Sequence, residues 1–201
     1  INVTVDGLTV NTSFVEVQAN AISRIDLTPV DSTITAGAYQ EFASTGYDIW
    51  NNVNNSGVVI SSNATTGFTA LNSTTANFTN TTSGVYSIAS TDAGTGVTNS
   101  TTISVTPNAV AQIIVSPALS ILLAGYSQSF TAVGTDAFGN VNNTGLAWSS
   151  NASSGFTPVD ATNSDFTNTT VGFYSITSTE AGTGVTRTSY VNITADSISR
   201  I

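Results

Sequence analysis

The chain contains no cysteine, histidine, methionine or lysine, and its only cations are Arg24, Arg187 and Arg200. Each absence removes a class of chemistry. Without cysteine there are no disulfides and no thiolate metal sites, although this leaves the compartment open, because large secreted β-domains fold without disulfides. Without histidine, lysine or cysteine, the usual groups that activate a serine or threonine nucleophile are missing, which removes most hydrolases. A Lys–Asn isopeptide cross-link is closed to the chain for the same reason. Three arginines against 12 acids, a net charge of −9, leave nothing to neutralise phosphates. Nucleic acid and anionic membranes are therefore excluded as partners. No apolar run approaches the roughly 20 residues of a membrane helix, so no membrane insertion is expected in this segment. No basic-then-apolar leader opens the chain, and an export signal or anchor is expected outside it.

Ser and Thr fill the space left by charge. They supply 62 of the 201 residues, while charged residues make up only 7%, against roughly 25% in ordinary domains. Water is met by hydroxyls and amides.

A shift of 88 residues aligns the chain with itself without a gap, and 41 of the 88 positions in 21–108 and 109–196 are identical. The shared runs include FTNTT, then Gly84, Tyr86, Ser87 and Ile88 against Gly172, Tyr174, Ser175 and Ile176, then AGTGVT at 93–98 and 181–186. Such periodicity marks a repeat architecture. Residues 1–20 read as the closing strands of a preceding repeat, and 197–201 as the first strand of a following one.

Within a repeat, apolar residues alternate. Val15 and Val17, Ile103 and Val105, Val191 and Ile193, and Ile25 and Leu27 each occupy every second place, the period of a strand with one buried face. Further strands are expected around Phe42, 58–60, Phe68, Phe78 and 85–91, about seven per repeat, the spacing of a sandwich. Glycines that recur in both copies, such as Gly57 and Gly145, suit turns with positive φ. The expected core is Phe42, Phe68, Phe78, Tyr86 and Ile88, and in the second repeat Phe130, Trp148, Phe156, Phe166, Tyr174 and Ile176.

Residues 116–150 carry an opening strand ending in proline, an AG…Q.F.A.G.D.FGN strand and turn, and a W.S strand. With the closing G.Y.I…AGT they resemble the bacterial immunoglobulin-like, or Big, domain. The first repeat departs from that pattern at Trp50–Asn51, where the family prefers aromatic–Gly, and at Ile60 in place of the tryptophan. The resemblance implies an all-β chain of tandem immunoglobulin-like Greek-key β-sandwiches, with domains at 21–108 and 109–196. It also implies a spacer or adhesive module of cell-surface proteins, and the Asn/Thr richness is similar to archaeal surface-layer repeat proteins.

Two groups of residues offer chemistry. Asp48 with Asn52 and Asn54, and Asp136 with Asn140 and Asn142, form a D-x-x-x-N-x-N turn that presents oxygens a Ca²⁺ ion could use; Asp and Asn are equally ordinary turn residues, and the turn reading is preferred. The twelve acids formally leave a two-carboxylate glycosidase arrangement open, but no catalytic residues and no cofactor are assigned.

The stronger pattern is N-x-S/T. It occurs at twelve of twenty asparagines, about double the roughly six that composition would place by chance. The favoured acceptors for N-glycosylation are Asn54, Asn63, Asn80, Asn142, Asn151 and Asn168, because they fall in expected loops. Asn2, Asn11, Asn72, Asn77, Asn99 and Asn192 follow. The expected function is an extracellular structural array that self-associates through edge strands or neighbouring repeats. The alternative is an adhesin that grips a glycan or a cell-surface partner through sandwich-end loops such as GYDIWNN.

Overall fold

In a computed structural model, the described residues are 2–5, 8–11 and 16–196, the first two stretches as backbone only. The residues expected to open a following repeat, 197–201, and Val15 lie outside them, as do the side chains of Asn2 and Asn11.

All regular structure among the described residues is strand. A short antiparallel hairpin pairs β1 (Asn2–Val5) with β2 (Leu8–Asn11). The first repeat then supplies β3 (Arg24–Thr28), β4 (Ser32–Thr35), β5 (Tyr39–Tyr47), β6 (Val58–Ser62), β7 (Phe68–Ala70), β8 (Thr75–Thr79), β9 (Gly84–Asp92) and β10 (Thr98–Thr106). These form two four-stranded sheets, ordered β3-β5-β8-β7 and β4-β10-β9-β6. The second repeat duplicates them. Its strands are β11 (Gln112–Ser116), β12 (Leu119–Leu123), β13 (Ser127–Thr135), β14 (Leu146–Ser150), β15 (Phe156–Pro158), β16 (Asn163–Thr167), β17 (Gly172–Glu180) and β18 (Thr186–Thr194). Their sheets are β11-β13-β16-β15 and β12-β18-β17-β14. The expectation of tandem immunoglobulin-like sandwiches holds, since in each repeat one sheet joins β3, β5, β8 and β7 or their equivalents and the other holds the closing hairpin.

Each repeat has eight strands where alternation indicated seven. The additional ones are β4 and β12, which pair parallel with β10 and β18 respectively. Their sequences, STIT and LSILL, do not alternate apolar with polar, so the period-2 signal is silent there. Val17 departs in the other direction. It lies outside any strand and is 88% exposed, whereas its counterpart Val105 is buried. Val105 sits on a strand paired within a sheet, and no described strand pairs with residues 16–17.

The core follows the aromatic pattern. Phe42, Phe78 and Ile88 are fully buried in the first repeat, and Phe130, Phe166 and Ile176 in the second. Phe68 and Tyr86 are half-buried, and Trp148, Phe156 and Tyr174 pack partly buried against the second core. Burying each large side chain contributes roughly 1.5–3 kcal/mol, so these residues stabilise sandwiches that carry no disulfide.

Candidate functional site

Asp48 begins the turn after β5. Its Oδ1 accepts from the backbone N–H of Trp50 at 2.8 Å and of Asn52 at 2.9 Å. Its Oδ2 accepts from the Asn52 side-chain amide and from the N–H of Asn20, both at 2.9 Å. Asp136 repeats this, with Phe138 and Asn140 on Oδ1 at 2.9 Å and the Asn140 amide at 2.8 Å and Asn108 N–H at 2.9 Å on Oδ2. Both carboxyls lie at about 2, below the ordinary 3.8. For Asp48 the largest cause is the Asn52 amide. For Asp136, burial pushes upward and is outweighed by the Asn140 amide and the three N–H groups.

In this geometry each D-x-x-x-N-x-N segment works as a hydrogen-bonded turn. Four N–H donors surround each carboxylate, so the oxygens face partial positive charge where a cation would have to sit. Asn54 and Asn142 are likewise engaged. Their Nδ2 atoms donate to the carbonyls of Asn20 at 2.8 Å and Asn108 at 2.9 Å. Among the described residues no group of three or more acidic side chains is gathered to hold a metal. The turns instead pin the segments leading into β3 and β11. Sequence reasoning missed Asn20 and Asn108 in this role; the signal was their fixed distance of 28 residues before each aspartate.

Asp92 and Glu180 close the hairpins before β10 and β18. Asp92 accepts from Thr95 N–H at 2.7 Å and from its hydroxyl at 2.5 Å. Glu180 accepts from Thr183 N–H at 2.5 Å and its hydroxyl at 2.6 Å, and from Gly182 N–H at 3.0 Å. Both carboxyls are lowered, the threonine hydroxyl being the largest cause in each case. The facing glycines have room for nothing more. A Cβ on Gly57 would lie 2.5 Å from Asp92 Oδ1, and one on Gly145 2.6 Å from Glu180 Oε1, both at positive φ. Each acid at these places therefore folds back onto its own loop.

The tyrosines that recur in both repeats act in the same manner. Tyr86 Oη donates to the Thr82 carbonyl and Tyr174 Oη to the Thr170 carbonyl, both at 3.0 Å, the corner in which a phenol tethers the loop before its strand.

The asparagine acceptors divide sharply. Asn80 and Asn168, favoured from sequence as loop residues, are buried. Their Oδ1 atoms cap the N–H of Thr82 at 3.0 Å and Thr170 at 2.9 Å, and Asn168 Nδ2 donates to the Ser154 carbonyl at 3.3 Å. Both lie in loops between strands, and there an Asx cap turns each side chain inward. Asn54 and Asn142 are half-buried, with Nδ2 occupied as described. Asn63 and Asn151 are exposed. Their Oδ1 accepts from the N–H of Ser87 at 2.8 Å and Ser175 at 2.9 Å, which leaves Nδ2 facing water.

Of the remaining sequons, Asn72 is exposed, with Oδ1 on the N–H groups of Thr74 and Thr75, both at 2.8 Å. Asn99 donates to the Ile25 carbonyl at 2.8 Å. Asn77 holds its Oδ1 buried without a hydrogen-bond partner. Asn192 is half-buried on the outer face of β18.

No profile of a known protein family matches the chain, and no curated protein matches it in sequence. Solved structures do match. Invasin, described as a bacterial integrin-binding protein, aligns with a TM-score of 0.63 at 20% identity, over 96% of this chain and 45% of that one. A tandem pair of titin Ig domains aligns with a TM-score of 0.50 at 13% identity, over 86% of this chain and 97% of the other. Domains 1–6 of the surface layer protein SbsC are a looser likeness, with a TM-score of 0.45 at 13% identity over 90% of this chain. The chain spans 45% of the invasin chain and 29% of the SbsC chain. At these identities the likeness is one of fold, and what it establishes is an all-β chain built as two immunoglobulin-like β-sandwiches in tandem.

Proposed function

We propose that the chain is a spacer segment of an extracellular structural array, a stalk, layer or filament, that carries N-linked glycans on its outward loops. The observation that carries this reading is where the loop polar groups point. Asp48, Asp92, Asp136 and Glu180, the acids held at equivalent places in the two repeats, accept hydrogen bonds from their own loops. Self-tethered loops with matching geometry in both copies suit a load-bearing repeat better than a ligand site. The polar, nearly uncharged surface and the likeness in fold to invasin support a place at the cell surface, and Asn63 and Asn151 are the best acceptors. Protease treatment of intact source cells tests the location: release of peptides from 21–196 supports it, and their appearance only after lysis argues against it.

The adhesin reading rests on one loop. Ile49 and Trp50 in GYDIWNN are 64% and 71% exposed, and Arg24 lies 4.3 Å over the neighbouring Tyr47 ring. Binding of the chain to a glycan array or a cell panel that is lost in Trp50→Ala would favour the adhesin. Absence of binding in both proteins favours the spacer.

A further inference from the structure

The two repeats differ on the outer face of one sheet. In the second repeat, the face of β12, β18 and β17 turned away from the core carries Leu119, Ile121, Leu123, Phe173 and Tyr190, all exposed, with Ile121 at 68% and Phe173 at 61%. Phe173 and Tyr190 stack on one another, ring centroids 5.4 Å apart and planes 24° from parallel. In the first repeat the same places hold Asp31, Thr33, Thr35, Val85 and Thr102. A contiguous apolar face of this kind marks a surface that something covers.

Asn192 sits in the middle of it. On one side its register partner is Ile121, and on the other it is Phe173; the adjoining row pairs Leu119 with Tyr190. Its side chain is half-buried between these apolar neighbours. Asn192 opens the sequon Asn192-Ile193-Thr194, and the first repeat has Ser104 there. The acceptor and the apolar face are present together in one repeat and missing together in the other.

We propose that Asn192 carries an N-linked sugar whose first pyranose ring lies on the Phe173–Tyr190 stack, so that the glycan is the cover of this face. This rests on the glycoprotein reading given above and adds to it a specific cradle. The sugar is joined when the Asn192 amide nitrogen attacks the anomeric carbon of a glycosyl phosphate or pyrophosphate donor. The C–N bond forms, the C–O bond to phosphate breaks, and the amide gives up one proton. The donor and its transferase come from the host. Cross-strand neighbours stand about 4.5–5.5 Å apart, within reach of the first sugar ring. The C–H face of a pyranose carries partial positive charge and an aromatic face partial negative charge, so the ring has an electrostatic partner as well as apolar area to cover.

Trypsin isolates the site, because cleavage after Arg187 and Arg200 yields 188–200, in which Asn192 is the one sequon. The full chain is produced in a host that N-glycosylates exported proteins, as wild type, Asn192→Gln, Phe173→Ser and the double variant. We expect peptide 188–200 to carry sugar mass. We also expect wild type to melt about 4 °C above Asn192→Gln, a gain lost in the Phe173→Ser background, where the sugar is still present. A bare Asn192 with sugar at Asn63 or Asn151 overturns the cradle and leaves the glycoprotein reading standing; bare asparagines throughout overturn both. An occupied Asn192 whose thermal gain survives Phe173→Ser overturns the packing. Self-association of the chain that Phe173→Ser abolishes assigns the face to a second copy and also overturns it.

Discussion

The hydroxyls of Ser44 and Ser90 meet at 2.5 Å in the buried interior of the first sandwich. The same two positions in the second repeat are Ala132 and Ser178, and Ser178 Oγ is buried there without a partner. One repeat thus contains the pair and the other contains half of it. Replacing Ser90 with Ala strands Ser44 and should destabilise the first sandwich by about 1–2 kcal/mol. Replacing Ser178 with Ala removes an unpaired hydroxyl and should be neutral or stabilising by up to about 1 kcal/mol. Urea denaturation of the two variants reads the opposite signs directly.

The carboxyls of Asp48 and Asp136 give the fold an acid limit. Both titrate at about 2 in the folded chain against an ordinary 3.8. A folded value below the unfolded one means stability that is fully present above the unfolded value, about pH 4, and lost as pH falls through the folded one. The melting temperature of the wild-type chain should therefore fall between about pH 4 and pH 2. In Asp48→Asn/Asp136→Asn it should start lower at neutral pH and show a shallower fall across that window.

The tyrosine corners are expected to act independently and alike. Tyr86→Phe and Tyr174→Phe each remove one hydroxyl bond to a loop carbonyl and should cost about 1 kcal/mol. Their effects should add in the double variant, because the bonds share no residue. Equilibrium unfolding of the three proteins provides the check.

Position decides what an aromatic contributes. Phe130 is fully buried and Phe173 is 61% exposed, so Phe130→Ala should cost about 3–5 kcal/mol. The unglycosylated chain with Phe173→Ser should stay within about 0.5 kcal/mol of wild type. A comparable loss from both in thermal melts would mean that the outer face is covered by the chain itself.

Much of this architecture is legible in the residues. Repetition at a fixed shift and alternation at Ile25–Leu27 or Val191–Ile193 identify strands, and Phe42, Phe78, Phe130 and Phe166 mark the core, because burial on one face imposes a period of two. The edge strands at 32–35 and 119–123 escape that signal. The first has a single apolar residue, Ile34, and the second is apolar on both faces, so neither shows a run of alternation. The loop asparagines escape for another reason: Asn63 and Asn80 share the same sequon chemistry, and what distinguishes them is which backbone N–H each Oδ1 caps, that of Ser87 or that of Thr82. The apolar outer face of the second repeat is visible only once β12, β18 and β17 are set side by side, since its residues are dispersed between 119 and 190.

A glycopeptide map of the native protein, cut with a protease of broad specificity, tests the account of an exported, glycosylated spacer most directly. The account predicts sugar at Asn63 and Asn151, whose amides face water, and bare Asn80 and Asn168, whose side chains are buried. Bare asparagine at both Asn63 and Asn151 in mature protein would contradict it.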